Sequence, residues 1–334
     1  MKQLFCPIII ALLITACSPQ DNAEPVNYSG YTQGTTFSIT IYGETNLDEL
    51  QPDIDSLFDV IDKTASLYDS NSIISRFNRN EPVTFNDHFL FILNRSQEIS
   101  EATNGAFDIT TGPLVKAWGF RQKMGLLLPS RQVDSLLVYT GFHMIEIMDD
   151  EIRKSNPLVQ IDLNAIAQGY TVDLLASFLE SKNVNRYLID IGGEIRAGGL
   201  KPGGKKWIIA IEKPAENDSA AQSVQQTLAI VNKSIATSGN YRNYFVSDGI
   251  KYAHTINPKT GYPTHQNLLS VSVITNECIS ADAYATAFMV MGLERTLAFL
   301  KYHPEIDAFL IFSQPDGTYK VEFSEGFQNF FAKL

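Results

Sequence analysis

Residues 268–292 read LLSVSVITNECISADAYATAFMVMG and hold the two local patterns that decide the fold class. Leu268–Thr275, rich in valine and isoleucine, reads as a β-strand. Ser280-Ala281-Asp282-Ala283-Tyr284-Ala285-Thr286-Ala287 then opens an apolar helical run through Phe288, Met289, Val290 and Met291, which Gly292 interrupts. Ser280 is a candidate N-cap, which puts Asp282 in the first turn, where the helix dipole favours a carboxylate. Asp282 and Thr286 are four residues apart, so their oxygens share one face, one turn apart. A carboxylate and a hydroxyl so placed suit a hard cation such as Mg²⁺. A capped, half-buried helix start has the same spacing, and spacing alone favours that plainer reading.

Strand and helix patterns extend outward in both directions. Thr36–Tyr42 alternates Phe37, Ile39 and Ile41 with Thr36, Ser38 and Thr40, as a half-buried strand does. Leu50, Ile54, Leu57, Phe58, Ile61 and Ala65 recur at helical spacing, and Phe89, Ile92, Ile99 and Thr103 mark a second helix ending near Asn104-Gly105. A third helix begins near Ala165, with Ile166, Tyr170, Leu174 and Phe178 on one face. Strands are expected at Tyr187–Ile191, Trp207–Ile211, Ala308–Ser313 and Thr318–Phe323, the last two flanking the hairpin signal Pro315-Asp316-Gly317. Helices fall both before and between strands, so the expected class is α+β, a mixed sheet with packed helices. No linker-like stretch follows residue 30, so residues 31–334 read as a single domain; the strand order stays open.

Composition narrows the function classes. The chain has 334 residues, 44% hydrophobic and 19% charged, with 26 Lys+Arg against 37 Asp+Glu and a net charge of −11. That apolar content is too high for a disordered chain, and no basic block exists to capture nucleic acid. At the N-terminus, Lys2 precedes the apolar stretch Leu4–Thr15, and Ile14-Thr15-Ala16-Cys17 resembles the lipobox of bacterial lipoproteins. That resemblance implies a signal peptide over residues 1–16, acylation of Cys17, and a polar lipidated tether over residues 17–30. The expected location is the bacterial cell envelope, anchored on the extracytoplasmic face. An ordinary signal peptide that happens to contain a cysteine is the alternative. With Cys6 removed and Cys17 acylated, Cys278 is the remaining free thiol, so a metal site must use oxygen or nitrogen ligands.

Three further stretches carry candidate chemistry. Asp162-Leu163-Asn164-Ala165-Ile166-Ala167-Gln168-Gly169-Tyr170 leads into a helix whose free N–H groups could hold phosphate, though ordinary capping explains it equally well. Ile191-Gly192-Gly193-Glu194 lacks the spacing of a dinucleotide fingerprint. Ala236-Thr237-Ser238-Gly239-Asn240-Tyr241-Arg242-Asn243-Tyr244 combines hydroxyls, glycine and an arginine suited to an anionic ligand. His254, one of five histidines, follows, with turn chemistry at Pro258–Gly261. A lone histidine beside a turn is more often structural than catalytic.

In chain order these stretches join Gly34-Thr35-Thr36, Tyr68, Ser75-Arg76-Phe77-Asn78, Gly105-Ala106-Phe107-Asp108, Gly112-Pro113-Leu114-Val115 and Trp118-Gly119-Phe120. As an ordered set they resemble the ApbE family, the FAD:protein FMN transferases. The resemblance implies a Mg²⁺-dependent enzyme that takes FAD as substrate and moves its FMN half onto a threonine hydroxyl of a partner protein, releasing AMP. The implied acceptors are flavin-carrying subunits of membrane redox pumps and related extracytoplasmic electron-transfer proteins. By motif position, Asp282 and Thr286 match metal ligands through side chains, and Ala165 and Ala285 through backbone oxygen. Tyr68, Ala106, Phe107, Asp108, Asp162 and Ile256 match flavin-nucleotide contacts, and His254 matches a candidate general base. Gln33 and Gln168 stand where the family favours methionine and lysine or glutamate; both positions are implied to touch FAD. The same site would also serve hydrolysis of FAD to FMN and AMP, although Tyr68 resembles the transferase members. A lipoprotein that binds FAD without chemistry is the reading from a different class.

Overall fold

The alternation at Phe37, Ile39 and Ile41 buries all three side chains, and Thr35–Tyr42 forms strand β2. This computed structural model describes residues 24–120, 127–148, 151–214, 223–240, 244–247, 250–264 and 267–333. The signal-peptide and Cys17 readings therefore lie outside the described residues. The tether reading reaches too far: Pro25–Thr32 is strand β1, paired with β2 along its whole length. Its composition looks polar because it is an edge strand with one covered face, where Tyr28 packs its ring 5.1 Å from that of Phe37. Gln33 and Gly34 close the hairpin with φ of 48° and 77°, the left-handed pair a two-residue turn requires.

Six more strands complete the sheet: β3 (Tyr187–Ile191), β4 (Glu194–Gly198), β5 (Lys233–Gly239), β6 (Leu268–Thr275), β7 (Asp307–Ser313) and β8 (Tyr319–Phe323). They lie side by side in chain order, each antiparallel to its neighbours. The α+β class holds, but the sheet is antiparallel throughout where a mixed one was expected. Each excursion between strands returns the chain to the adjacent edge running the opposite way.

Five of the helices are α1 (Leu47–Ala65), α2 (Asp87–Ala102), α3 (Ala167–Ser181), α4 (Cys278–Met291) and α5 (Leu293–Leu300). Successive residues of a strand point to opposite faces, so β7 sends Ala308, Leu310 and Phe312 into the core shared with α2 and α4. Phe309 and Ile311 point the other way, against a ribbon formed by Trp207–Glu212 and Val224–Ile230. Covered on both faces, β6 is buried along nearly its whole length, and β7 reads as a continuous apolar run from Ala308 to Phe312. Among the described residues, no helix is long and apolar enough to cross a membrane.

Two contacts place α4. The helix begins at Cys278, so Ser280 lies inside it and Asp282 belongs to its second turn, not its first. The cap comes instead from α3: the Asp173 carboxylate accepts the N–H groups of Cys278 and Ile279, both at 2.9 Å. Arg196 on β4 pairs with the same carboxylate at 2.5 Å. Gly169 lets the two helices touch. A Cβ there would stand 2.5 Å from the Cys278 carbonyl oxygen and 2.8 Å from Asp282 Cβ. Gly169→Ala should therefore push α3 from α4 and cost about 1–3 kcal/mol of stability, the usual penalty of overpacking. Urea unfolding measures it, and an unchanged midpoint would mean the crossing has slack.

Candidate active site

A cavity of about 1030 Å³ opens at the end of the sheet where β3 turns into β4 and β5 finishes. It sits at the upper end of the usual size of small-molecule sites, large enough for a dinucleotide. Its walls come from distant parts of the chain: Asp162, Asn164, Ala165 and Gln168 at the approach to α3, and Gly192, Gly193 and Glu194 at the β3–β4 turn. Thr237, Ser238 and Gly239 of β5, the 254–258 segment, and Asp282 and Thr286 of α4 complete the floor and sides. Tyr68, 86% exposed, stands among the lining residues on the solvent side.

Asp282 is the electrostatic centre. It is only 7% exposed, and burial pushes its carboxyl up to about 7, although the Gly169 N–H donates to Oδ2 at 3.1 Å and opposes the shift. One turn on, Thr286 shares a 3.2 Å hydrogen bond with Ser238 on β5. Glu194 is 8% exposed and raised well above the ordinary carboxylate range, first by burial and then by the charge of Asp282. Its Oε2 is buried with no hydrogen-bond partner. Among the described residues, no lysine or arginine pairs with Asp282 or Glu194.

An orphaned carboxylate oxygen beside a second buried carboxylate and a hydroxyl is an all-oxygen donor set of the kind hard cations take. The residues present therefore fit Mg²⁺. No three His, Cys, Asp or Glu side chains among the described residues form a ready-made metal cluster, so hydroxyl and backbone oxygens must share the ligation.

The ApbE family profile matches residues 33–310. The FAD:protein FMN transferase of Vibrio cholerae is 35% identical over 341 residues, covering 100% of both chains. That of Salmonella typhimurium is 32% identical over 350 residues, covering 99% of this chain and 98% of its own. Among solved structures, the flavin transferase ApbE from Vibrio cholerae superimposes with a TM-score of 0.82 at 34% identity, covering 92% of this chain and 99% of that one. Pseudomonas stutzeri flavinyl transferase ApbE gives 0.83 at 32% identity, covering 93% and 98%. The chain belongs to the ApbE family.

Of the residues singled out by resemblance to ApbE proteins, Tyr68, Ala106, Phe107, Asp108, Asp162, Ala165, Gln168, His254, Ile256, Asp282 and Thr286 all line this one cavity. Two do not. Gln33 sits in the β1–β2 turn, where its Nε2 donates to Thr171 Oγ1 on α3 at 2.8 Å, and it borders a separate depression of about 450 Å³. Its amide ties the hairpin to α3, and its neighbour Gly34 reaches the main cavity. Ala285 is fully buried within α4 and is absent from the lining. Tyr241, Arg242 and Asn243 lie outside the described residues.

The Asp108 carboxylate also holds neighbouring chain segments together. Its Oδ1 accepts the N–H and O–H of Thr110 at 2.8 and 2.6 Å, and Oδ2 accepts the Phe142 N–H at 2.8 Å. Burial raises this carboxyl and those three donors oppose the rise, so the group is committed to its own loop. Glu194 is the residue the sequence reading missed. The signal available was a lone glutamate following Gly-Gly between two apolar strand patterns.

The wall before α3 is clamped from outside the cavity. Asn78 Nδ2 donates to the Ile161 carbonyl at 2.9 Å, and the Ile161 N–H donates back to Asn78 Oδ1 at 2.8 Å. Lys154 Nζ donates to the carbonyls of Phe77 and Val159, each at 3.0 Å, and burial pushes its ammonium down to about 8. The Asp162 N–H then donates to the Ile109 carbonyl at 2.7 Å. Asn78→Ala should leave both polar groups of buried Ile161 unpaired, costing about 2–3 kcal/mol. Urea unfolding gives that loss. FAD titration should show weaker binding, because Asp162, Asn164 and Ala165 follow the released segment; unaltered affinity would show the wall holds itself.

Proposed function

We propose that this chain is an FAD:protein FMN transferase, moving FMN from FAD to a threonine hydroxyl of an acceptor protein and releasing AMP. The observation that carries this is the meeting of Asp282, Thr286, Glu194 and His254 in one cavity of dinucleotide size. The threonine oxygen attacks the phosphorus on the riboflavin side of the pyrophosphate. A new P–O bond forms, the bond from that phosphorus to the bridging oxygen breaks, and AMP leaves with the bridging oxygen. His254 takes the threonine proton as the general base.

Asp282 and Thr286 side chains and the Ala165 carbonyl would hold Mg²⁺, which supplies charge neutralisation on the pyrophosphate and at the departing phosphate. Phe107 and Ile256 offer apolar walls for the flavin, and Asp162 and Gln168 offer polar contacts to the nucleotide. Because the chain is acidic overall, a dianionic substrate gains nothing from its net charge. Binding has to be won locally, at the cation and at donors around it.

Incubating the protein with FAD, Mg²⁺ and a purified acceptor should yield AMP and threonine-linked FMN in equal amounts, read by mass spectrometry. Chelation of Mg²⁺ or Asp282→Ala should lower the rate by at least about 100-fold, the scale of losing several kcal/mol of charge stabilisation. His254→Ala should cost about 10²–10⁴-fold with FAD binding retained. Rapid AMP release with an unmodified acceptor would replace the transferase with an FAD hydrolase. Tight FAD binding with no AMP would leave only a carrier.

The acceptors proposed are subunits of membrane redox pumps or related extracytoplasmic flavoproteins, reached from a lipid anchor at Cys17 in the cell envelope. Cys17→Ser should abolish labelling by radioactive palmitate and move the protein from the membrane to the soluble fraction. Unchanged fractionation would remove the anchor.

A further inference from the structure

Glu194 opens β4 directly after the Gly192-Gly193 turn. The turn is tight: a Cβ on Gly192 would meet Thr35 Cγ2 at 2.9 Å and the Glu194 Oε2 at 3.4 Å. Glu194 is 8% exposed, its Oε2 is buried and unpartnered, and the residue lines the cavity that Asp282 also lines. The charges acting on it are negative, Asp282 first and Asp190 second. Asp190 already accepts the Gly193 N–H at 3.0 Å, and Asp282 accepts that of Gly169. Glu194 has no comparable donor for its inner oxygen.

A buried carboxylate with one oxygen unpartnered and no lysine or arginine paired with it among the described residues, next to another, is an arrangement that one divalent cation relieves at both groups. We propose that Glu194 and Asp282 together bind one divalent cation before any nucleotide arrives, with Thr286 and the Ala165 carbonyl completing the protein's share of the ligands. This rests on the Mg²⁺-dependent reading above and adds two things to it: a ligand from the β3–β4 turn, and a cation site that does not need the phosphates of FAD.

Mn²⁺ serves as the probe, titrated into the metal-free, FAD-free protein and followed by electron paramagnetic resonance of the free ion. The wild type should take up one Mn²⁺ per chain. Glu194→Gln, close to isosteric, should weaken uptake at least tenfold, and Asp282→Asn should do the same. Thermal unfolding separates ligation from a structural role. Metal-free Glu194→Gln should melt no lower than the metal-free wild type, because a repelled buried charge is gone, and should lose the upward shift that Mn²⁺ gives the wild type. A lowered melting point with the Mn²⁺ shift intact would make Glu194 structural and overturn the proposal.

Wild-type protein that takes up no Mn²⁺ without FAD would overturn it regardless of how the variants fold. Either result leaves the transferase reading standing if the wild type still transfers FMN with Mg²⁺. Absence of that transfer in protein that binds Mn²⁺ as described would remove the transferase and keep the cation site.

Discussion

The crossing of α3 and α4 at Gly169 is the constraint on which the site depends. With no side chain at 169, the two helix backbones come close enough for the Gly169 N–H to reach the Asp282 carboxylate at 3.1 Å. The same pair of helices is locked a few residues away by Asp173, which satisfies two free N–H groups at the start of α4 and holds Arg196 of β4. One short stretch of α3 thereby fixes where α4 begins and where its second turn points. Asp282 and Thr286 owe their placement in the cavity to these contacts, because α4 is apolar on nearly every side and packing alone would not set its rotation.

The energetics of that helix run against its most important residue. A carboxylate placed among Ala281, Ala283 and Ala285, all fully buried, is costly to keep ionised, and Asp282 shows this in a carboxyl pushed up to about 7. Glu194 raises the cost further. The surrounding fold tolerates the strain because the core on both sides of the sheet is extensive, with α2 and α4 on one face and the Trp207–Glu212 ribbon on the other. Stability is supplied by the layers, and the site spends a little of it.

Much of this was legible in the sequence because the deciding patterns are local. β3 and β6 have the bounds their apolar runs suggest, Thr36–Tyr42 buries the alternating residues it should, and the second expected helix ends at Ala102, just before Asn104 and Gly105, both with positive φ. What was not legible rests on partners far away. The cap of α4 lies 105 residues from Cys278, so a serine two residues into the helix looked like the better cap. β1 shows one covered face only, which gives it the composition of a tether. Glu194 is invisible as a site residue until burial beside Asp282 is known, and Gln33 reveals its bond to Thr171 only when the hairpin is laid on α3. Ordered motifs pointed to one cavity; single spacings could not say which side chains face it.

An acidic protein acting on a dianion would be expected to carry a basic pocket, and here the buried charges of the floor are themselves acidic. The two facts are reconciled if the anionic charge on the wall exists to hold a cation whose remaining valence faces the pyrophosphate. Lysine or arginine in the same place would bind the dianion in ground and transition state alike, whereas a metal on fixed oxygens can follow the charge as it moves to the departing phosphate. Asp282 stands on a buried helix and accepts the Gly169 N–H, and Glu194 directly follows a two-residue turn. Tyr68 and His254, which line the same cavity, come from segments outside the sheet and its packed helices. The rigid part of the fold holds the charge, and the loops meet the partners.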